Sequence, residues 1–401
     1  MKKDTFSCSA GGRHYGMDWL RIGAFALLIF YHTGMGFVPW DWHVKWTTIS
    51  ETARLPMLAM NGWRLALLFV VSGYASAALL AKSKRLPFLR SRTARLLIPT
   101  IFAGVFVIPP QVWIDLMFHH GYGKGYGAFW SEDYFRFGTL SGIVMPTWQH
   151  LWFVVYLFAY TVALVALHAA LPETIRSRIV SMAGRVLGGV AGLFLLPVCW
   201  IVLRHAVLFP GHEDTHGLFD DGPAHFIFFA AFLFGILVFH SDRLWGAIRK
   251  SWRLAAIIAA VATVAMLGEV WWLTGREWSF HQEGVFTVLR AVQSWLVIIA
   301  LLGIADRFWN RDARWRSVLT EAVFPFYIVH QTITVVLIWY LRPLAMPLPV
   351  AFAVTMGATA LGCWLFYYVG RQVPMLRFLI GLKGWRLPSS KRAEDAAMVA
   401  A

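Results

Sequence analysis

The chain has 401 residues, of which 58% are hydrophobic and only 14% charged, with a formal net charge of +15. A soluble domain carries about 25% charged residues, so a water-soluble protein is excluded and a lipid-embedded one expected. The cationic excess does not mark a nucleic-acid binder, because it falls in short loops between long apolar runs, where it sets membrane orientation instead.

A membrane-crossing helix needs about 20 mostly apolar residues. Ten stretches meet that need, near 17–37, 61–80, 97–117, 149–170, 187–206, 224–240, 254–274, 285–305, 319–341 and 349–369. The fold class expected is therefore an all-α polytopic membrane protein, a bundle of about ten transmembrane helices. The first run contains Arg21 and His32 and lacks a small-residue cleavage site, so it reads as a retained helix rather than a signal peptide. Placing the amino terminus inside puts most lysines and arginines on the cytoplasmic side, among them Lys2, Lys3, Lys82 to Arg95 and Arg243 to Arg253. Both termini are then cytoplasmic, and the acidic loops around Glu132, Asp133 and Asp214 face outward. Three parts follow: a cytoplasmic segment 1–16, a membrane domain 17–370 and a basic cytoplasmic tail 371–401.

Ionisable groups inside a bilayer are costly and mark function by default. The first run offers Asp18, Arg21 and His32. Arg21 and His32, eleven positions apart, return to nearly the same helix face and stand about 16 Å apart along the axis. The bland alternative is a snorkelling arginine and a satisfied core histidine. The second run carries Phe69 to Tyr74, with Ser72 and Gly73 as a small pair that lets helix backbones approach. At the start of the third, Arg92 and Arg95 share a face where free N–H groups and the helix dipole favour anions. They form a candidate cytoplasmic phosphate site that suits a polyanionic donor such as coenzyme A; ordinary positive-inside anchoring is the alternative. The fourth run opens with Trp148 to Phe153, placing His150 and Trp152 where an extracytoplasmic saccharide could dock or an aromatic belt could lie.

The outer loop with His205, His212, Glu213, Asp214, His216, Asp220, Asp221 and His225 invites a metal reading, but its glycine and proline argue against the helix that would align two ligands, and no metal is expected. The ninth run carries Glu321 near its inner end and His330 about 18 Å further, at a depth similar to His32. Two imidazoles at one level predict a shared polar cavity. Cys8, Cys199 and Cys363 lack any spacing that would suggest a disulfide or a metal site. The 21 tryptophans and 31 phenylalanines exceed what interfacial belts need and leave room for sugar-stacking surfaces.

Taken in order, Asp18-Trp-Leu-Arg21 followed by His32, Phe69 to Tyr74, Arg92-x-x-Arg95 with Pro99, His150 to Phe153, and Phe326-Tyr327-Ile-Val-His330 resemble the transmembrane acyltransferase family (acyltransferase 3), over roughly residues 14–370. The short motif spacing is most similar to its glucan-modifying branch. The resemblance implies that His32 is the catalytic histidine with Arg21 and Asp18 on its helix, and that Arg92 and Arg95, with Ser72 and Tyr74, serve the acyl donor. His150, Trp152, His330 and Glu321 are then acceptor-side or supporting groups, Glu321 being the candidate acidic partner of His32. It implies transfer of an acetyl or succinyl group from cytosolic acyl-CoA to a hydroxyl of an extracytoplasmic glucan or other saccharide, with no bound cofactor. The expected setting is a bacterial inner membrane, with polysaccharide-assembly proteins as possible partners. His32 would act as general base or carry the acyl group itself. A transporter or flippase of a small anion or lipid-linked sugar, or a non-catalytic assembly partner, would use the same buried charges; the absence of an internal repeat argues against the transporter.

Overall fold

A computed structural model describes residues 13–276 and 278–382; Lys2, Lys3, Cys8 and the tail beyond residue 382 lie outside the described residues. The elements are α1 (Tyr15–Met35), α2 (Arg54–Leu80), α3 (Arg85–Phe106), α4 (Pro109–His120), β1 (Gly138–Leu140), β2 (Ile143–Met145), α5 (Trp152–Ala170), α6 (Glu173–Val186), α7 (Val190–Leu203), α8 (Gly222–His240), α9 (Asp242–Trp272), α10 (Phe280–Ile304), α11 (Arg316–Leu341), α12 (Leu348–Gln372) and α13 (Pro374–Leu379). The two strands form one antiparallel hairpin.

Among the described residues, eight helical stretches are long and apolar enough to cross a membrane, and the pair α3–α4, bent by 43°, makes a ninth if it counts as one span. The run expected as one membrane helix over 97–117 is thus broken, at Val107 and Ile108. The cause is local: Pro109 and Pro110 have no N–H to give the carbonyls of Val105 and Phe106 one turn earlier, which ends α3, while Pro109 presets the first turn of the next helix. Helix α1 coincides with the first expected run but falls outside the apolar set, because Asp18, Arg21 and His32 lower its hydropathy. It lies inside the bundle instead, packed on α2, α11 and α12.

Proline also explains a contact between α7 and α10. Pro197 has no N–H to give the Leu193 carbonyl one turn earlier, and the indole of Trp295 donates to that oxygen at 2.7 Å. The small pair Ser72–Gly73 has an equally physical cause. A Cβ on Gly73 would stand 2.0 Å from the Phe232 carbonyl oxygen, and one on Gly235 would stand 2.0 Å from that of Val70. Helices α2 and α8 therefore touch backbone to backbone at two reciprocal points. Gly73→Ala is expected to cost about 1–3 kcal/mol through overpacking and to lower the midpoint of thermal unfolding in detergent. An unchanged midpoint would show that the helices can separate freely.

The loop after α1 folds back over the helix end. The Lys45 ammonium donates to the carbonyls of Met35 at 2.7 Å, Val38 at 2.8 Å and Trp40. Trp46 N–H closes on Gly36 O at 2.8 Å. This pins the end of α1 within one turn of His32.

Candidate active site

His32 on α1 and His330 on α11 meet in the bundle. Their rings meet edge to edge and nearly coplanar, with centroids 5.0 Å apart and 6° between planes, and His32 Nδ1 lies 2.7 Å from His330 Nε2. The proton positions follow from the rest of the chain. His330 Nδ1 sits 2.8 Å from Tyr327 O and 3.2 Å from Phe326 O. A carbonyl only accepts, so His330 Nδ1 carries the proton and Nε2 holds a lone pair. His32 must then donate from Nδ1, which leaves the lone pair on its own Nε2. That nitrogen takes no protein partner among the described residues. His330 is fully buried while His32 is only partly so, and the accessible ring is thus the one with the free base.

His150, just before α5, completes the cluster. Its ring lies 5.2 Å from His330 and 6.5 Å from His32. Nε2 is 3.2 Å from the carbonyls of both Tyr327 and Ile328, so it donates there. The Tyr327 hydroxyl in turn donates to the His150 carbonyl. His150 Nδ1 is left as a buried acceptor without a partner, in a side chain only 7% exposed. Such an orphan costs free energy unless something donates to it.

Helix α11 is held in register beside this cluster by a buried polar chain. Asp115 Oδ2 is 2.6 Å from His43 Nδ1, and His43 Nε2 is 2.9 Å from the Gln331 amide nitrogen. Gln331 donates to Gln111 Oε1 at 2.9 Å, and Gln111 donates to the Thr332 hydroxyl at 3.1 Å. Because each member is satisfied, the chain fixes the rotation of α11 and with it the direction of His330.

A second cluster forms at the basic end of the bundle. Arg92 donates to the Ser76 hydroxyl at 2.5 Å and Arg21 to the Thr320 carbonyl at 2.8 Å. Each keeps a buried Nε with no acceptor. Arg95, half-buried on the same helix face as Arg92, lies within Coulombic range of both. Two guanidiniums with unmet donors and a third beside them make a candidate anion site. Tyr74 makes edge contacts with His14 at 6.1 Å and Phe239 at 5.3 Å. Ser72 lies half-buried in α2 one turn before Ser76, the serine that takes Arg92.

Three expected roles are corrected. Asp18 is bound to Arg13 at 2.8 Å and Arg316 at 2.9 Å, about 21 Å along α1 from His32, so it ties α1 to α11 at the basic end. Glu321 accepts from Tyr367 at 3.2 Å and faces Arg371 at 3.6 Å. It stands about 14 Å along α11 from His330, so the partner of His32 is an imidazole and no carboxylate. Trp152 has its ring covered by His216 at 4.5 Å and is buried, so its face is not open for stacking. Burial also holds the His216 imidazole below its usual range, and it covers Trp152 as a neutral ring.

Several charged groups of the loop between α7 and α8 are engaged in structure. Asp221 caps α8 and accepts from Tyr156 at 2.6 Å, while Arg204 pairs with Asp214 at 2.8 Å. His225 bridges Tyr160 and the Leu218 carbonyl. Between α2, α7, α8 and α10 lies a cavity of about 620 Å³, lined by Trp200, Phe228 and Trp295 below and by Arg204, His216 and Arg290 near the outer loop. Sequence reasoning missed Ser76, His43 and Arg64. Ser76 alone carried a signal, since it lies one helical turn from Ser72 on the same face.

The profile of the Acyltransferase domain family matches residues 14–368, and the chain belongs to that family. Among curated proteins it is similar to glucans biosynthesis protein C of Shigella dysenteriae serotype 1, at 24% identity over 96% of this chain and 97% of the relative. The protein of that name from Salmonella gallinarum is 23% identical over 96% of this chain and 98% of its own length. That from Escherichia coli strain K12 is 24% identical over 96% and 97%. No solved structure matches the chain. The chain is thus a multi-pass membrane acyltransferase.

Proposed function

We propose that this membrane acyltransferase moves an acyl group from a cytosolic coenzyme A thioester to a hydroxyl of an extracytoplasmic glucan in the bacterial inner membrane. The observation that carries the reading is the free Nε2 lone pair of His32, with its tautomer fixed by His330 and the Tyr327 carbonyl. A base so oriented takes the proton of an attacking hydroxyl. Bond by bond, the saccharide oxygen attacks the thioester carbon while its proton passes to His32 Nε2. The carbonyl electron pair moves to oxygen and then returns, the C–S bond breaks, and the thiolate leaves with the proton from His32.

The remaining parts fit this division of labour. Arg21, Arg92 and Arg95 suit the phosphates of the donor, held bidentately at the basic end. The extended pantetheine arm would cover the separation of about 16 Å between Arg21 and His32. His150 Nδ1 accepts a hydrogen bond from a second saccharide hydroxyl and so orients the acceptor. The glucan acceptor is taken from the relatives named glucans biosynthesis protein C.

Arg92→Gln is expected to raise the KM for acyl-CoA about tenfold, one lost charge-assisted contact of roughly 1.5 kcal/mol, with kcat changed much less. Steady-state kinetics of the purified protein in nanodiscs, with labelled acyl-CoA and glucan, measures this. A raised acceptor KM at unchanged donor KM would move the donor site elsewhere. A protein that shifts substrate across the bilayer without acylating it would instead be a transporter.

A further inference from the structure

Arg64 on α2 is 2% exposed, and its Nε and Nη1 atoms are buried with no acceptor. Its guanidinium carbon lies over Tyr31, 3.7 Å from the ring centroid. Tyr31 adjoins His32 in sequence, and the two rings stand 5.9 Å apart. The field of the guanidinium acts on both His32 and His330. Among the described residues no carboxylate pairs with it.

Two other buried arginines of this chain are met by carboxylates. Arg316 is held by Asp18 at 2.9 Å and Asp312 at 2.7 Å. Arg204 is held by Asp214 at 2.8 Å and the His212 carbonyl at 3.1 Å. An uncompensated charge in the interior is costly, and contact with one tyrosine ring offsets only part of that cost. The arrangement becomes favourable when negative charge appears beside it. In the reaction assigned to this site, that charge appears on the thioester oxygen when the hydroxyl adds to the carbonyl carbon.

We infer that Arg64 is a catalytic residue that donates to the oxyanion of the tetrahedral intermediate, opposite the base His32. The inference rests on the acyl-transfer reading of the His32–His330 pair. Tyr31 holds the guanidinium beside the ring of His32, and its planar fork suits bidentate donation. Water, excluded from this buried position, does not compete with the two N–H groups, which is where such preorganised donors act most strongly.

The test uses the full chain in nanodiscs, with acetyl-CoA and succinyl-CoA as donor probes and glucan as acceptor, comparing wild type, His32→Ala, Arg64→Met and Arg64→Lys. Arg64→Met should lower kcat by about 10²- to 10³-fold, with both KM values within a factor of about three. Its unfolding midpoint should stay level or rise, since a matched apolar side chain removes a buried charge. Arg64→Lys, which keeps the charge without the fork, should fall between. The inference is overturned if Arg64→Met turns over near the wild-type rate, or if KM rises while kcat holds, which marks ground-state anion binding. A fall in unfolding midpoint that accounts for the lost activity, with Arg64→Lys fully active, would make Arg64 a structural residue. If wild type transfers no acyl group from either donor, or His32→Ala remains active, the underlying reading fails, and the role of Arg64 fails with it.

Discussion

Replacing His32 with alanine is expected to lower acyl transfer by at least about 10³-fold, while the protein still inserts and folds. His32 supplies the accessible lone pair of the cluster, and neither neighbour replaces it. His330 Nε2 is used by His32 Nδ1 at 2.7 Å, and removal of His32 frees it only inside a fully buried side chain. His150 holds its Nε2 proton against two carbonyls, so its free nitrogen is Nδ1, set apart from the accessible ring. His32 is partly buried near the end of α1, so its truncation should cost far less stability than a core deletion, and Lys45 still pins the helix end. Equal thermal unfolding midpoints alongside lost turnover would separate chemistry from folding. A His32→Ala protein with wild-type kcat would remove His32 from the mechanism.

The second large effect is expected at His330. His330→Phe keeps the ring volume but cannot accept from His32 Nδ1. His32 then loses its tautomer lock and can carry its proton on Nε2, the nitrogen that must be free. A fall of about 10²-fold in kcat with little change in either KM is expected. Gln at this position offers an acceptor oxygen, so His330→Gln should recover part of the rate. That rescue distinguishes a positioning residue from a packing one, because phenylalanine is the better volume match and glutamine the better hydrogen-bond match. If Phe outperforms Gln, His330 acts through packing alone.

Much of this was readable from the residues. Apolar run length gave the helices, since each of the ten expected runs overlaps helix, although among the described residues eight, or nine with the bent pair, qualify as spans. Similar depth along two helices brought His32 and His330 to one level, although they lie 298 positions apart. Their direct contact was not readable, because periodicity fixes the face of a helix but not which neighbour that face meets. The same gap misassigned Asp18 and Glu321. A carboxylate near a catalytic histidine in sequence looks like its partner, yet both lie at helix ends where arginines from other helices are closer. Arg64 escaped notice because, as the fourth residue of the run expected over 61–80, it reads as interfacial; only its packing on Tyr31 reveals a buried cation. The break between α3 and α4 was legible in Pro109 and Pro110, although Pro99, inside α3, breaks nothing.

The most direct test of the account is the mass of glucan recovered after reaction with purified protein and acyl-CoA. Wild type should add a discrete acyl increment to the glucan and release one free thiol per increment, and His32→Gln should add none while unfolding at the wild-type midpoint. Glucan of unchanged mass with wild type, or the same increment with His32→Gln, would contradict the assignment of His32 as the base of an acyl transfer.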